Sequence, residues 1–186
     1  MDQQVSVSKP STNGRPDGRA FVLAAVEEHE GRLARYALRL AGDEHLARDA
    51  VQHAFMKLCD QPPERVSDHL APWLFAVCRN RILDAHKENG RMKTLTDEQS
   101  QAELPLSQQP ATDPADCAAA RDAYQTVRRA VALLPENQRE AVDLWADGFR
   151  YQEIAEVIGC TEGHVRVLVH RGLNRVREHP QVREMM

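Results

Sequence analysis

The sequence predicts an all-α chain of two small helical domains joined by a flexible linker. Three observations carry this expectation. Apolar residues recur at spacings of three and four from Ala20 to about Arg91, and again from about Asp116 to Pro180, which is the period of amphipathic helices. Between these stretches, "KTLTDEQSQAELPLSQQPATDPAD" is polar, acidic and broken by Pro105, Pro110 and Pro114, a composition that suits a tether. Aromatic residues make up 5% of the chain, and β-branched residues are mostly single valines inside helical patterns, which argues against an all-β fold. The expected organisation is a leader at 1–19, a helical domain at 20–91, the acidic linker at 92–115, a second helical domain at 116–180 and a tail at 181–186.

The leader, "MDQQVSVSKPSTNGRPDGR", has no hydrophobic core for a signal peptide and is expected to be disordered. A first helix follows, with Phe21, Val22, Ala25, Val26, Leu33, Ala37 and Leu40 in helical register and Gly42 as its stop. Asp43 is a natural N-cap for the next helix. Its apolar stripe is Leu46, Ala50, Val51, Ala54, Phe55 and Leu58, with Asp49, Gln52, His53 and Lys57 off the stripe. "PPERVSDHLAP" is expected to be a loop closed by Pro72. "WLFAVCRNRILDAHKENGR" is a third helix, with Trp73, Leu74, Val77, Cys78 and Ile82 inward. Arg79, Asn80, Arg81, His86, Lys87 and Arg91 are its polar positions, and positive charge gathers towards the helix end that favours cations.

After the linker, "CAAARDAYQTVRRAVALL" places Ala119, Tyr124, Val127, Val131 and Leu134 broadly on one side. Pro135 interrupts, and "ENQREAVDLWADG" forms a short helix ending at Gly148, with Val142, Leu144 and Trp145 as a floor for the next two helices. These lie in "YQEIAEVIGCTEGHVRVLVHRGLNRVRE", and both are too short to stand alone. Ala155 is small where two helices would cross, and Gly159 sits where a sharp turn needs positive φ. Ile154, Ile158, Val165 and Leu168 supply the packing side. This register fits a helix-turn-helix, whose second helix enters the major groove; the alternative is a plain helical hairpin with a solvated basic face. The outward side of the second helix carries His164, Arg166, Val167, His170 and Arg171, with Arg175 and Arg177 beyond. Arginine grips guanine or phosphate, and a small apolar side chain meets a thymine methyl.

The formal net charge is −4, whereas a protein that coats nucleic acid is usually basic. DNA affinity must therefore be local or supplemented by a larger partner. Cys59, Cys78, Cys117 and Cys160 form no CxxC pair, and the first, second and fourth sit among apolar residues as expected buried thiols. His29, His45, His53, His69 and His86 are scattered singly and are expected mostly at the surface. No GxSxG, P-loop or metal-spaced cluster occurs, so no catalytic residue, metal or cofactor is expected and the chain is not expected to be an enzyme. No apolar run is long enough to cross a membrane, and a cytoplasmic protein without membrane insertion is expected.

The two helical sets together resemble the extracytoplasmic function (ECF) sigma factors, small members of the sigma-70 family of bacterial transcription initiation factors. "LPENQREAVDLWADGFRYQEIAEVIGCTEGHVRVLVHRGLNRVRE" resembles their region 4. Phe21 to about Arg91 resembles region 2, with "ARDAVQHAFMKL" as the polymerase-docking helix and "PWLFAVCRNRILDAHK" as the promoter-melting helix. The resemblance implies core RNA polymerase, promoter DNA and an anti-sigma factor as partners. It implies polymerase contacts at Asp49, Gln52, His53 and Phe55, and −10 contacts at Trp73, Arg79, Asn80, Arg81, Lys87 and Arg91. The loop from about Gln61 to Pro72 would capture a flipped base, while Trp73 could stack on a base or pack in the core. The −35 contacts would be His164, Arg166, Val167, His170, Arg171 and Arg175. His164, Val167, Leu168 and His170 depart from the family's common residues, so −35 specificity does not transfer from relatives. The linker would thread towards the RNA exit path or act as a plain tether. The other function class is a stand-alone helix-turn-helix regulator with an N-terminal sensor or dimerisation domain.

Overall fold

A computed structural model describes residues 18–92 and 114–185. The leader and linker expectations fall almost wholly outside them. The described residues form helices α1 (Gly18–Ala41), α2 (Glu44–Cys59), α3 (Pro63–Val66), α4 (Leu70–Met92), α5 (Pro114–Ala132), α6 (Glu136–Ala146), α7 (Tyr151–Ile158), α8 (Glu162–Glu178) and α9 (Pro180–Arg183).

The helix boundaries have local causes. Gly42 ends α1 at φ 67°, a conformation that costs glycine little. The Asp43 side chain accepts a hydrogen bond from the Leu46 N–H at 2.8 Å and starts α2. The expected loop from Pro62 to Pro72 is instead nearly all helical turns: α3, a 3₁₀ turn at Ser67–His69, and then α4 from Leu70. Pro63 opens α3, and Pro72 lies in the first turn of α4, where its missing N–H has no helical partner to lose.

In the first domain, Leu33, Tyr36 and Ala37 of α1 pack against Ala47, Ala50, Ala54 and Leu58 of α2, and against Leu74, Phe75, Cys78 and Ile82 of α4. Trp73, Val77, Leu46 and Phe55, expected inward, are only partly buried. Phe75, which no sequence pattern singles out, is fully buried. Burial pushes the Cys78 thiol up to about 12, whereas Cys59 is exposed rather than buried. His29 is likewise a correction: it is 5% exposed, and its Nδ1 has no hydrogen-bond partner.

Burial lowers the His29 pKa below the ordinary 6.5, Arg32 adds to this, and Glu28 opposes it. The folded chain therefore binds fewer protons than the unfolded chain just below pH 6.5, so acidification through that window removes stability. The expected result is that the melting temperature of the native chain, relative to a His29→Gln variant, falls between pH 7.5 and 5.5. A constant difference between the two proteins would contradict it.

In the second domain, Ala130, Val131, Leu134, Val142, Val176 and Val182 form one cluster. Ala141, Leu144, Ile154, Val165 and Val169 form another part of the interior. Tyr124 and Val127, expected on one side with Val131 and Leu134, are 50% and 37% exposed, and Trp145, expected as part of the floor, is 41% exposed. The expected tail contributes Val182 to the core through α9. Gly172 lets α8 cross α6 closely: a Cβ there would lie 2.6 Å from Val142 Cγ2.

The two domains are not apart. α7 packs on α4, and the Phe75 ring lies 5.0 Å from Tyr36 and 4.8 Å from Phe149, centroid to centroid. The apolar interior runs continuously through both.

Candidate nucleic-acid interface

The turn between α7 and α8 follows from two residues. Gly159 adopts φ 76° and donates to the Ala155 carbonyl at 2.9 Å. The Thr161 hydroxyl then accepts from the His164 N–H at 3.3 Å and starts α8. Val165, Leu168, Val169, Gly172 and Val176 are the buried side of α8. Leu168 is thus a packing residue, which accounts for an apolar side chain at that position.

The opposite side of α8 presents His164, Arg166, Val167, His170, Arg171 and Arg175 to solvent, as the sequence predicts. Arg171 makes no ion pair or hydrogen bond among the described residues. Arg166 pairs with Glu162 at 2.8 Å and lies over the Tyr151 ring at 5.4 Å. Arg175 donates to Gln138 Oε1 at 3.2 Å. Asn174, one turn beyond His170 and 3.5 Å from its Nδ1, joins this surface; reading the helix one turn further would have found it. A helix with one dry and one cationic face is what a major-groove reader needs.

The candidate residues of the first domain separate into three groups. Asn80 and Lys87 of α4 and Gln52 of α2 are exposed. Lys87 is held by Asp84 at 3.2 Å. Asp49 and Arg81 pair with each other at 2.8 Å across α2 and α4. His53, Phe55 and Trp73 are half-buried. The side chain of Arg91 lies outside the described residues.

Arg79 stands apart. Its Nε and Nη2 donate to Glu140 of α6 at 2.7 and 3.2 Å, and its side chain is 15% exposed. Burial disfavours the guanidinium charge, but the hydrogen bond and charge of Glu140 outweigh it and hold the group more firmly protonated than usual. Tyr36 also donates to Glu140, at 2.7 Å. Burial and the neighbouring carboxylate push the phenol pKa well up.

Among the described residues no group of His, Cys, Asp and Glu is placed to hold a metal ion, and no helix is long and apolar enough to cross a membrane. The geometry offers two helical surfaces, one set of basic and amide groups on α4 and one on α8.

Family comparison decides what carries them. The Sigma-70 region 2 model matches residues 25–92, and the Sigma-70 region 4 model matches 124–176. The ECF RNA polymerase sigma factor SigL of Mycobacterium tuberculosis is 31% identical over 161 residues, 85% of this chain and 88% of its own. The chain belongs to the ECF sigma factors of the sigma-70 family. The ECF RNA polymerase sigma factor EcfG of Rhodopseudomonas palustris is also similar to this sigma factor, at 28% identity over 85% of the chain and 82% of its own. A solved complex of the sigma factor RpoE with the anti-sigma factor NepR from Bartonella quintana has a similar fold. It gives a TM-score of 0.60 at 27% identity, covering 87% of this sigma factor and 95% of that chain.

Proposed function

We propose that this sigma factor binds core RNA polymerase through region 2, with region 4 adding a second contact, and directs it to promoters. The observation that carries this is the order along one chain: a region 2 match at 25–92 that holds α2 and α4, then a region 4 match at 124–176 that holds the α7–α8 helix-turn-helix. Asp49, Gln52, His53 and Phe55 of α2 face the polymerase. A carboxylate and an amide there suit an arginine-bearing partner. Trp73, Asn80, Arg81, Lys87 and Arg91 of α4 read and hold the −10 element, joined by Arg79 once it is released from Glu140. The turns between Gln61 and Pro72 take the flipped base, whose extraction costs a few kcal/mol that the pocket must offset.

His164, Arg166, Val167, His170, Arg171 and Arg175 of α8 read the −35 element. The net charge of −4 is compatible with this, because tethering to polymerase raises the effective concentration of each weak DNA contact. Capture of unpaired bases shifts the duplex towards the open form, so melting is driven by binding energy and needs no enzymatic step of this chain. The site of action is the cytoplasm, and an anti-sigma factor is the expected negative regulator, acting by covering polymerase-binding surface.

Gel filtration of the purified chain with core polymerase tests this reading. Co-elution is the expected result; duplex binding with no polymerase association would overturn it.

A further inference from the structure

Two arginines on the exposed side of α8 differ in how they are held. Arg171 makes no ion pair, hydrogen bond or ring contact among the described residues. Arg166 is held twice. Its Nη2 lies 2.8 Å from Glu162 Oε1, one turn back on the same helix. Its guanidinium carbon lies 5.4 Å from the centroid of the Tyr151 ring, which belongs to α7, the other helix of the motif.

Tyr151 is a firm support. It is the first residue of α7, and the Arg150 N–H closes that opening turn by donating to Glu153 Oε2 at 2.7 Å. The Tyr151 side chain is partly buried against the interior, and a tyrosine has only two side-chain torsions to fix.

Stability alone does not account for these contacts. An exposed pair at this spacing contributes little to folding, and the Arg166 and Glu162 side chains are 65% and 48% exposed. An acid in the first turn of α8 suits the helix dipole, which explains Glu162 but not the ring against its partner. A carboxylate on a DNA-facing surface also repels phosphate, so the arrangement does not serve general DNA affinity. It serves orientation. Arginine reads guanine through two hydrogen bonds to O6 and N7, a fixed planar geometry. Ordering a long side chain on binding weakens the complex, and a side chain that is already ordered loses less. Glu162 engages one N–H of the five that a guanidinium carries, so donors remain for a base.

We propose that Tyr151 and Glu162 are positioning residues that hold the Arg166 guanidinium ready to read one guanine of the −35 element. The proposal rests on the sigma-factor reading above.

The test is transcription by core polymerase and the full chain from a genomic promoter that the parent protein uses, with the −35 element randomised and each template barcoded in its transcript. Barcode counts give the base preference at every −35 position. Arg166→Ala is expected to lower the preference for guanine at one position by at least about fivefold, and Arg171→Ala to act at a different position. Tyr151→Leu and Glu162→Gln are each expected to lower the preference at the Arg166 position by about two- to fivefold, the worth of an exposed ring contact or ion pair. The Arg171 position should not change. Tyr151→Phe keeps the ring and is expected to match the parent. In an Arg166→Ala background, Tyr151→Leu should add nothing at that position. Circular dichroism melting checks that each variant is folded.

An unchanged profile in Tyr151→Leu and Glu162→Gln overturns the proposal, as does an equal loss at every position, which would make both residues merely structural. A lost preference at a second position in Glu162→Gln means that Glu162 reads a base itself, which overturns its positioning role. If Arg166→Ala alters no position, the proposal falls while the sigma-factor reading stands. If no genomic promoter responds to the parent protein, the sigma-factor reading itself fails, and the proposal with it.

Discussion

Phe75→Ala is expected to lower the unfolding free energy by about 3–5 kcal/mol, the usual range for deleting a fully buried phenylalanine ring. Phe75 has no exposed surface. Its ring is held by Tyr36 on one side and by Phe149 at an angle of 64° on the other, with the Arg32 guanidinium 5.9 Å from its centroid. The cavity left by alanine could not collapse easily, because its walls come from both domains. Domains of this size are stable by about 5–15 kcal/mol, so the loss is a large part of the whole. Phe75→Leu keeps most of the volume and is expected to cost much less. Urea unfolding of the three proteins measures the difference. A Phe75→Ala variant within about 0.5 kcal/mol of the parent, the range of innocuous surface changes, would show that the ring is not packed as described.

Arg166→Ala/Arg171→Ala is expected to abolish most promoter-dependent transcription while leaving polymerase association intact. Each arginine contact to a base is worth about 1–3 kcal/mol, and separate contacts add approximately. The combined loss is therefore at least about 30-fold, taking tenfold per 1.4 kcal/mol. Both residues are exposed. Among the described residues, the ion pair removed is Arg166–Glu162 on the helix surface, worth about 0.3–0.5 kcal/mol, so folding should hardly change. Run-off transcription gives the activity and gel filtration gives the association. Equal transcription from the parent and the variant would remove α8 from promoter reading.

Much of the fold is legible because it is written in local signals. Gly42, Asp43, Gly148, Gly159 and Pro180 each stop or start a helix through their own backbone or capping chemistry. The helix-turn-helix is legible for the same reason: Ala155, Gly159, Val165 and Leu168 must occupy fixed positions for one helix to cross the other. The Pro62–Pro72 segment reads as a loop because proline breaks a helix interior. Proline is nevertheless accepted in a first turn, and the sequence does not say which applies. His29 is one of several lone histidines, and only the packed structure distinguishes it as buried.

The least legible feature is the seam between the domains. Arg79 reads from sequence as a DNA contact, and Glu140 as one more charge in "ENQREAV". Their pairing joins positions 61 residues apart, which periodicity cannot reveal. The same holds for Phe149, which follows a turn glycine and looks like a loop residue until it meets Phe75. Local rules place the candidate DNA-reading residues on their helices; the tertiary contacts determine which of them are exposed.

Run-off transcription with core polymerase on fragmented genomic DNA tests most directly whether this chain is a working sigma factor. The expected result is a set of discrete transcripts that require this protein, with start sites sharing one motif near −35 and another near −10. An absence of any transcript that depends on the added chain, with polymerase active under another sigma factor, would contradict it.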